Sequence, residues 1–226
     1  MRDPEHSPGG TEALIAQLAR DARPRRPLAH PLRRALGWAL LALGFAAAMV
    51  WAIGPRADMA ERLGDARFLF EQGAALATGL AAAAAALALT IPGASPLWRL
   101  APVVPGALWL GTLSLGCVRD WWAMGAEGLR LTPDPACFVH IVLIGSLPGL
   151  VLYLMLRRGV PLSPRLTLAL AALAAAGLGN FGLRFFHAQD AALMVLVWQV
   201  GSVALIAALA GLAGRALLRW PGAHAA

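Results

Sequence analysis

Apolar residues along this chain are gathered into six runs, which are separated by short polar segments rich in arginine. A helix needs about 20 apolar residues to cross the hydrocarbon core of a bilayer. The pattern therefore predicts an all-α fold, a polytopic membrane protein whose six transmembrane helices form a bundle. The predicted spans are residues 35–54, 72–91, 98–117, 137–156, 166–186 and 191–214.

The second span has the weakest hydrophobic signal, because residues 81–86 are all alanine. We expect this helix to depend on packing against its neighbours, since small side chains let helix backbones approach closely. In the fourth span, Gly145 and Gly149 have the G-x-x-x-G spacing that is typical of a helix contact face.

Composition agrees with a membrane protein. The chain is 59% hydrophobic and 14% charged, whereas soluble domains carry roughly 25% charged residues. The net charge is +7, and all 19 basic residues are arginines. Most of them lie at the ends of spans, so they indicate membrane topology and a lipid bilayer as partner, with no direct contact to nucleic acid.

The distribution of arginine predicts the orientation. With the N-terminus inside, 13 of the 19 arginines fall in cytoplasmic segments, whereas 8 of the 12 acidic residues fall outside. The positive-inside rule then favours an N-in, C-in arrangement. The expected organisation is a cytoplasmic tail over residues 1–34, a transmembrane domain over 35–220 and a short cytoplasmic tail over 221–226.

The N-terminal tail contains a predicted amphipathic helix over residues 11–23, with Thr11 as N-cap. Leu14, Ile15 and Leu18 form one apolar stripe on it. So short a helix is marginal alone in water, and we expect it to order against a partner or a membrane surface.

Arginines follow this helix directly. They either contact anionic lipid and set the topology, or they provide a docking surface for an acidic or amphipathic cytoplasmic protein. The candidates are Arg23, Arg25 and Arg26.

The only two cysteines, Cys117 and Cys137, lie at the predicted ends of the third and fourth spans, on the predicted outer face. His140 follows Cys137 by three residues, and His187 ends the fifth span on the same face. The set is compatible with a structural disulfide, with a site for a soft or borderline metal ion, or with inert thiols. Apart from a transient heavy-metal or zinc-like ion at this site, no cofactor is expected.

Other function classes have less support. No span carries an acid at its centre, which argues against a proton-coupled transporter. Arg184 is expected to extend its charge to the outer boundary. No nucleophile–base pair is apparent, so we do not expect an enzyme. The alternatives are a membrane redox or haem protein, with His140 and His187 as axial ligands, and a small transporter-like subunit.

Several motifs together resemble one family. They are L-I-A-Q-L-A-R-D-A-R-P in the tail, G-C-V-R-D-W after the third span, P-A-C-F-V-H-I-V-L-I-G at the start of the fourth, and R-R-G-V-P-L-S-P-R-L after it. The chain resembles the NrsF-type membrane proteins, which are negative regulators (anti-sigma factors) of extracytoplasmic-function sigma factors in proteobacteria. The resemblance extends over nearly the whole chain.

The resemblance implies a multi-pass protein of the bacterial inner membrane that acts in transcription regulation and stress response. It implies that the tail binds the sigma factor, which falls on Leu14, Ile15 and Leu18, and that the outward cysteines sense stress, which falls on Cys117 and Cys137. The oligomeric state, including a homo-oligomer, stays open. One departure is Ala188, since family members often have a cysteine after the histidine that corresponds to His187.

Overall fold

The structure is a computed structural model that describes residues 8–21 and 28–218. These residues form helices and connecting turns, with no strand among them. The helices are α1 (Pro8–Asp21), α2 (Pro31–Ile53), α3 (Met59–Gly64), α4 (Ala66–Ala88), α5 (Val103–Met124), α6 (Pro135–Leu156), α7 (Pro164–Leu183), α8 (Ala192–Met194) and α9 (Gly201–Leu217). Short 3-10 helices, Pro96–Leu100 and Gly125–Leu129, flank α5, and a π-helical turn, Val195–Val200, joins α8 to α9.

Six helices are long and apolar enough to cross a membrane, which confirms the predicted number of spans. They are α2, α4, the helical segment Pro96–Leu129 that contains α5, α6, α7 and the continuous helix Ala192–Leu217. The protein is therefore a multi-pass membrane protein, and the all-α fold is confirmed for the described part of the chain.

The two most buried spans, α7 and α4, are not the most apolar ones. Their mean hydropathies are 1.7 and 1.3, whereas α2, α6 and Ala192–Leu217 reach 2.0 to 2.2 and are only 22–33% buried. The span that contains α5 has a mean hydropathy of 1.5 and is 22% buried, so hydropathy alone does not determine helix position. The alanine-rich helices form the centre because their small side chains allow close contact. A Cβ at Gly79 of α4 would lie 3.3 Å from the Ala174 carbonyl oxygen of α7. The second span is therefore packed closely against α7, as its small side chains predict.

The G-x-x-x-G pair on α6 also faces α7. A Cβ at Gly145 would lie 2.9 Å from the Ala175 carbonyl oxygen, and one at Gly149 would lie 3.4 Å from the Ala175 Cβ. The predicted contact face is confirmed, and Gly145 is the tighter of the two positions.

The bundle has two ends that we name by their connections. The cysteine end carries the connections 54–65, 125–134 and 184–191, and the opposite end carries 28–30, 89–102 and 157–163. Hydrogen bonds tie the connections together at each end. The Arg56 N–H donates to the Phe185 carbonyl at the cysteine end, and the Val160 N–H donates to the Thr90 carbonyl at the opposite end, both over 2.9 Å.

Two local predictions were wrong. Helix α1 begins at Pro8, so Thr11 lies inside the helix and is not its N-cap. The third span does not end at Cys117, because α5 continues for seven residues to Met124 and stops at Gly125, whose φ of 58° is left-handed.

Candidate functional site

Three side chains at the cysteine end converge on one point. Asp134 occupies the N-cap position of α6, and Cys137 lies in the first turn that follows it. His187 follows α7, where its N–H donates to the Leu183 carbonyl over 2.9 Å. His187 Nε2 lies 2.8 Å from Asp134 Oδ2 and 3.5 Å from Cys137 Sγ, and Cys137 Sγ lies 3.2 Å from the same carboxylate oxygen. We call these three residues the Asp–Cys–His site.

The site is only partly open to its surroundings. Cys137 is fully buried, and the side chains of His187 and Asp134 are 24% and 15% exposed. Burial by itself would raise the pKa of Asp134, but hydrogen bonds from His187 and Cys137 outweigh burial and lower it. The carboxylate is therefore held in its charged form between two hydrogen-bond donors.

Of the four residues predicted to sense the signal, the structure brings Cys137 and His187 together and adds Asp134. His140 lies beside the site, with its ring centroid 6.3 Å from that of His187, while its Nδ1 lies 2.8 Å from the Ala136 carbonyl. Cys117 is half-buried on α5 and outside the group. Both cysteines are free thiols.

The Asp–Cys–His site has the donor set of a borderline metal. Thiolate, imidazole and carboxylate are the usual ligands of zinc-like ions, and bond lengths near 2.0–2.3 Å in tetrahedral geometry put neighbouring ligand atoms roughly 3.3–3.6 Å apart. The observed separations of 3.5 and 3.2 Å from Cys137 Sγ are already close to this. The contact between His187 and Asp134 is a hydrogen bond of 2.8 Å and would have to open by about half an ångström.

A network of charges lies next to this site in the sequence and in space. Arg184 is 4% exposed, pairs with Glu71 at 3.5 Å and with Asp190 at 3.2 Å, and lies over the Phe68 ring. The expectation that Arg184 extends to the membrane boundary was wrong. Carboxylates from α4 and from the connection 184–191 pair with the Arg184 guanidinium, and this pairing offsets the cost of burying its charge.

Arg56 joins the end of α2 to the same network. Its guanidinium donates to both oxygens of Asp58 and both oxygens of Asp190, and Arg62 contacts the same two carboxylates. Hydrogen bonds from Arg56 lower the pKa of Asp58 to about 2, against the opposing effect of burial. For Asp190, burial would raise the pKa, yet Arg56 and Arg184 lower it overall.

The predicted partner-binding stripe lies on α1. Leu14, Ile15 and Leu18 are 55%, 60% and 60% exposed, and the whole stretch 10–20 is exposed. An amphipathic helix with its apolar stripe uncovered is the form that a groove on another protein recognises. Arg23, Arg25 and Arg26 lie outside the described residues.

Sequence reasoning did not include Asp134, Arg56 and Asp190 among the functional residues. Asp134 could have been found from its spacing, because D-P-A-C places a carboxylate three residues before a thiol at a helix start. The pairing of Arg56 with Asp190 spans 134 residues and leaves no local signal.

Comparison with known proteins gives one match. The family model NrsF, described as the negative regulator of sigma F, matches residues 18–220, which is most of the chain. The match covers all six membrane helices and begins at Leu18 of α1. No curated protein and no solved structure matches the chain.

Proposed function

This chain belongs to the NrsF family of negative regulators of sigma F, and from that premise we propose that it is an anti-sigma factor of the bacterial inner membrane. In this proposal α1 holds an extracytoplasmic-function sigma factor at the cytoplasmic face. A metal ion or an oxidant that reaches the cysteine end from the periplasm causes release of the sigma factor. The protein itself needs no contact with nucleic acid and has no enzymatic step.

The exposed apolar stripe of α1 is the observation that supports binding of the sigma factor by the tail. Leu14, Ile15 and Leu18 present their side chains without a partner in the described part of the chain. Burying a leucine or isoleucine side chain contributes about 1.5–3 kcal/mol. Three such side chains are enough to anchor a helix in a groove of a sigma factor.

The Asp–Cys–His site supports the proposal that the cysteine end receives the stress signal. Binding of a soft or borderline cation needs the thiolate of Cys137 and an unprotonated ring nitrogen of His187, so the thiol proton leaves as the cation enters. An oxidant would act differently, by taking two electrons and two protons from Cys117 and Cys137 as a disulfide forms. Because Cys117 is outside the Asp–Cys–His site, the metal and the oxidant share Cys137 but differ in the other residues that they need.

The connection 184–191 could transmit a change at the Asp–Cys–His site to the N-terminal tail. It carries His187 of the site together with Asp190, which pairs with Arg56 at the end of α2. Helix α2 crosses the bundle, and its other end begins at Pro31, directly after the tail. A shift of His187 would therefore reach α2 through Asp190 and Arg56. Release requires that the cation bind more tightly to the state in which the tail is free, and the coupling is reciprocal.

The test of the output uses the full-length protein in nanodiscs and the sigma factor captured from the same cells. Leu18→Asp puts a charge in the stripe and should abolish capture. Ala16→Asp adds the same charge on the opposite face of α1 and should leave capture intact. Equal capture by both variants would show that the stripe does not bind the sigma factor.

The test of the input adds Zn²⁺, Cd²⁺ or diamide to the captured complex and measures release. Cys137→Ser should remove the response to metal and oxidant, whereas Cys117→Ser should remove only the response to the oxidant. His187→Ala should remove only the response to metal. If all three variants release the sigma factor as the unaltered protein does, the cysteine end is not the sensor, while the anti-sigma role is unaffected.

A further inference from the structure

A groove between α4 and α5 opens on the side of the bundle near the cysteine end. Its volume is about 210 Å³, and its lining consists of Arg67, Thr112, Leu115, Gly116 and Arg119. Two of these five side chains are arginines, and neither belongs to the Asp–Cys–His site. The groove is therefore a basic pocket in the flank of a membrane-spanning bundle.

Arg67 is held against α5 by a neighbour on each side. Its Nε donates to Glu71 Oε1 over 2.8 Å, one turn further along α4. Its Nη2 lies against Gly116, where a Cβ would overlap the guanidinium. Gly116 thus makes room for the Arg67 guanidinium. In the described part of the chain, no hydrogen bond uses the Arg67 Nη atoms.

Arg119 provides the second charge. It lies three residues after Gly116, so both lie on one face of α5. Its side chain is exposed, and among residues 8–21 and 28–218 it forms no hydrogen bond or ion pair. This contrasts with Arg130 at the same end, which pairs with Glu127 at 3.4 Å.

The remaining wall of the groove is apolar and points along the membrane span. Leu115 is 71% exposed and lies one turn before Arg119. The Thr112 hydroxyl donates to carbonyls of its own helix, those of Leu108 and Trp109, and is not available to a ligand. A ligand for this groove would carry negative charge at the arginines and hydrocarbon along Leu115.

We propose that this groove binds an anionic membrane phospholipid, with Arg67 and Arg119 donating to its phosphate oxygens and an acyl chain lying against Leu115. Guanidinium groups pair with phosphate through two parallel hydrogen bonds. Basic pockets between transmembrane helices bind anionic head groups by this chemistry on the cytoplasmic side of membranes, and this groove would use the same chemistry at the cysteine end. The binding is independent of the sigma factor, and it places a lipid beside the first turn of α4, next to Glu71 and the charge network.

The test titrates phosphatidylglycerol into the detergent-solubilised full-length protein and counts bound lipid by native mass spectrometry. Arg119→Gln should weaken binding about tenfold, since one charged hydrogen-bonding group is lost. Arg130→Gln removes the same charge at the same end and should leave binding unchanged. Arg119→Lys should fall between the two, because it keeps the charge and loses the paired hydrogen bonds.

Two outcomes would overturn the proposal. One is equal lipid binding by Arg119→Gln and Arg130→Gln. The other is complete displacement of phosphatidylglycerol by millimolar inorganic phosphate, which would assign the groove to a free anion. Both variants should melt close to the unaltered protein, because Arg119 forms no hydrogen bond or ion pair in the described part of the chain and Arg130 loses only an exposed pair. This comparison separates lost binding from lost folding.

Discussion

At the cysteine end, Arg56 and Arg184 are both nearly buried and both pair with carboxylates. At the opposite end, Arg34 donates instead to the Met155 carbonyl over 2.9 Å and to the Thr90 hydroxyl over 3.4 Å. The connections 28–30, 89–102 and 157–163 contain no aspartate or glutamate at all. The buried arginines of the cysteine end thus have carboxylate partners, whereas the arginines of the opposite end have none in the described part of the chain.

The opposite end is held by close backbone contact. A Cβ at Gly214 of α9 would lie 2.7 Å from Arg165 Cα of α7, and one at Gly159 would lie 2.9 Å from the Thr90 carbonyl oxygen. Close glycine contacts occur at the cysteine end as well, where a Cβ at Gly128 would overlap the Asp120 carbonyl oxygen. The ends therefore differ in the charge network, which an ion or a proton can open. We therefore expect a change in pH or in ion concentration to affect the end that carries the Asp–Cys–His site more than the opposite end.

The largest effect is expected from breaking the buried charge network. Arg184→Met removes the buried guanidinium that joins Glu71 to Asp190. Glu71 then keeps only Arg67, and Asp190 only Arg56 and Arg62, so we expect a loss of about 3 kcal/mol in the free energy of unfolding. Arg130→Met, which removes an exposed pair at the same end, should cost below about 1 kcal/mol. Chemical unfolding in detergent measures both. Equal losses would show that the buried network of Arg184 contributes no more to the free energy of unfolding than the exposed Arg130 pair.

An intermediate effect is expected at the opposite end. Gly214→Ala forces a methyl group against Pro164 and Arg165, which should cost about 1–3 kcal/mol. Gly201→Ala on the same helix meets no atom closer than 4.0 Å and should be neutral or stabilising. The same unfolding assay applies. Identical stability of these two variants would contradict the role given to the close contact of α9 with α7.

The smallest effect is a dependence on acid that only the cysteine end should show. The pKa of Asp58 is about 2 in the folded protein, below its ordinary value of 3.8. The pairing with Arg56 therefore stabilises the fold above pH 4, and this contribution is lost as the pH falls from about 4 towards 2.

Thermal melting at several pH values checks this. Asp58→Asn should melt below the unaltered protein at pH 6, and the gap should close as the pH approaches 2. Gly214→Ala should keep its own gap across the whole range. A gap for Asp58→Asn that is independent of pH would show that the variant acts by some means other than charge.

Hydropathy alone predicted the six spans, because the apolar runs are long and their separators carry arginine. It misplaced the end of the third helix for a physical reason. Hydropathy falls at Arg119 and Asp120, yet the helix continues through Trp121 and Trp122 because nothing stops it before Gly125. Cys117 was therefore assigned to a helix end, although it lies two turns inside.

The candidate site was predicted only in part. Cys137 and His187 were named from residue type and predicted face, but their meeting with Asp134 depends on how α6 packs beside α7. The burial of Arg184 was missed because its partners are Glu71, 113 residues away, and Asp190, which follows in a connection. Pairing over such distances is a property of the packed bundle and has no local sequence pattern.

The π-helical turn Val195–Val200 constrains how this chain can change in length. Such a turn takes up one residue more than an α-helix would, and each residue of an α-helix turns the chain by about 100°. Deleting one residue there would let the turn close as a regular α-helix. The Ala192 side, whose N–H is bonded to Asp120, and Gly214, which touches α7, would then keep their relative orientation. A single-residue deletion in this turn should therefore be far better tolerated than one within Gly201–Leu217, where it would rotate the two sides by about 100°.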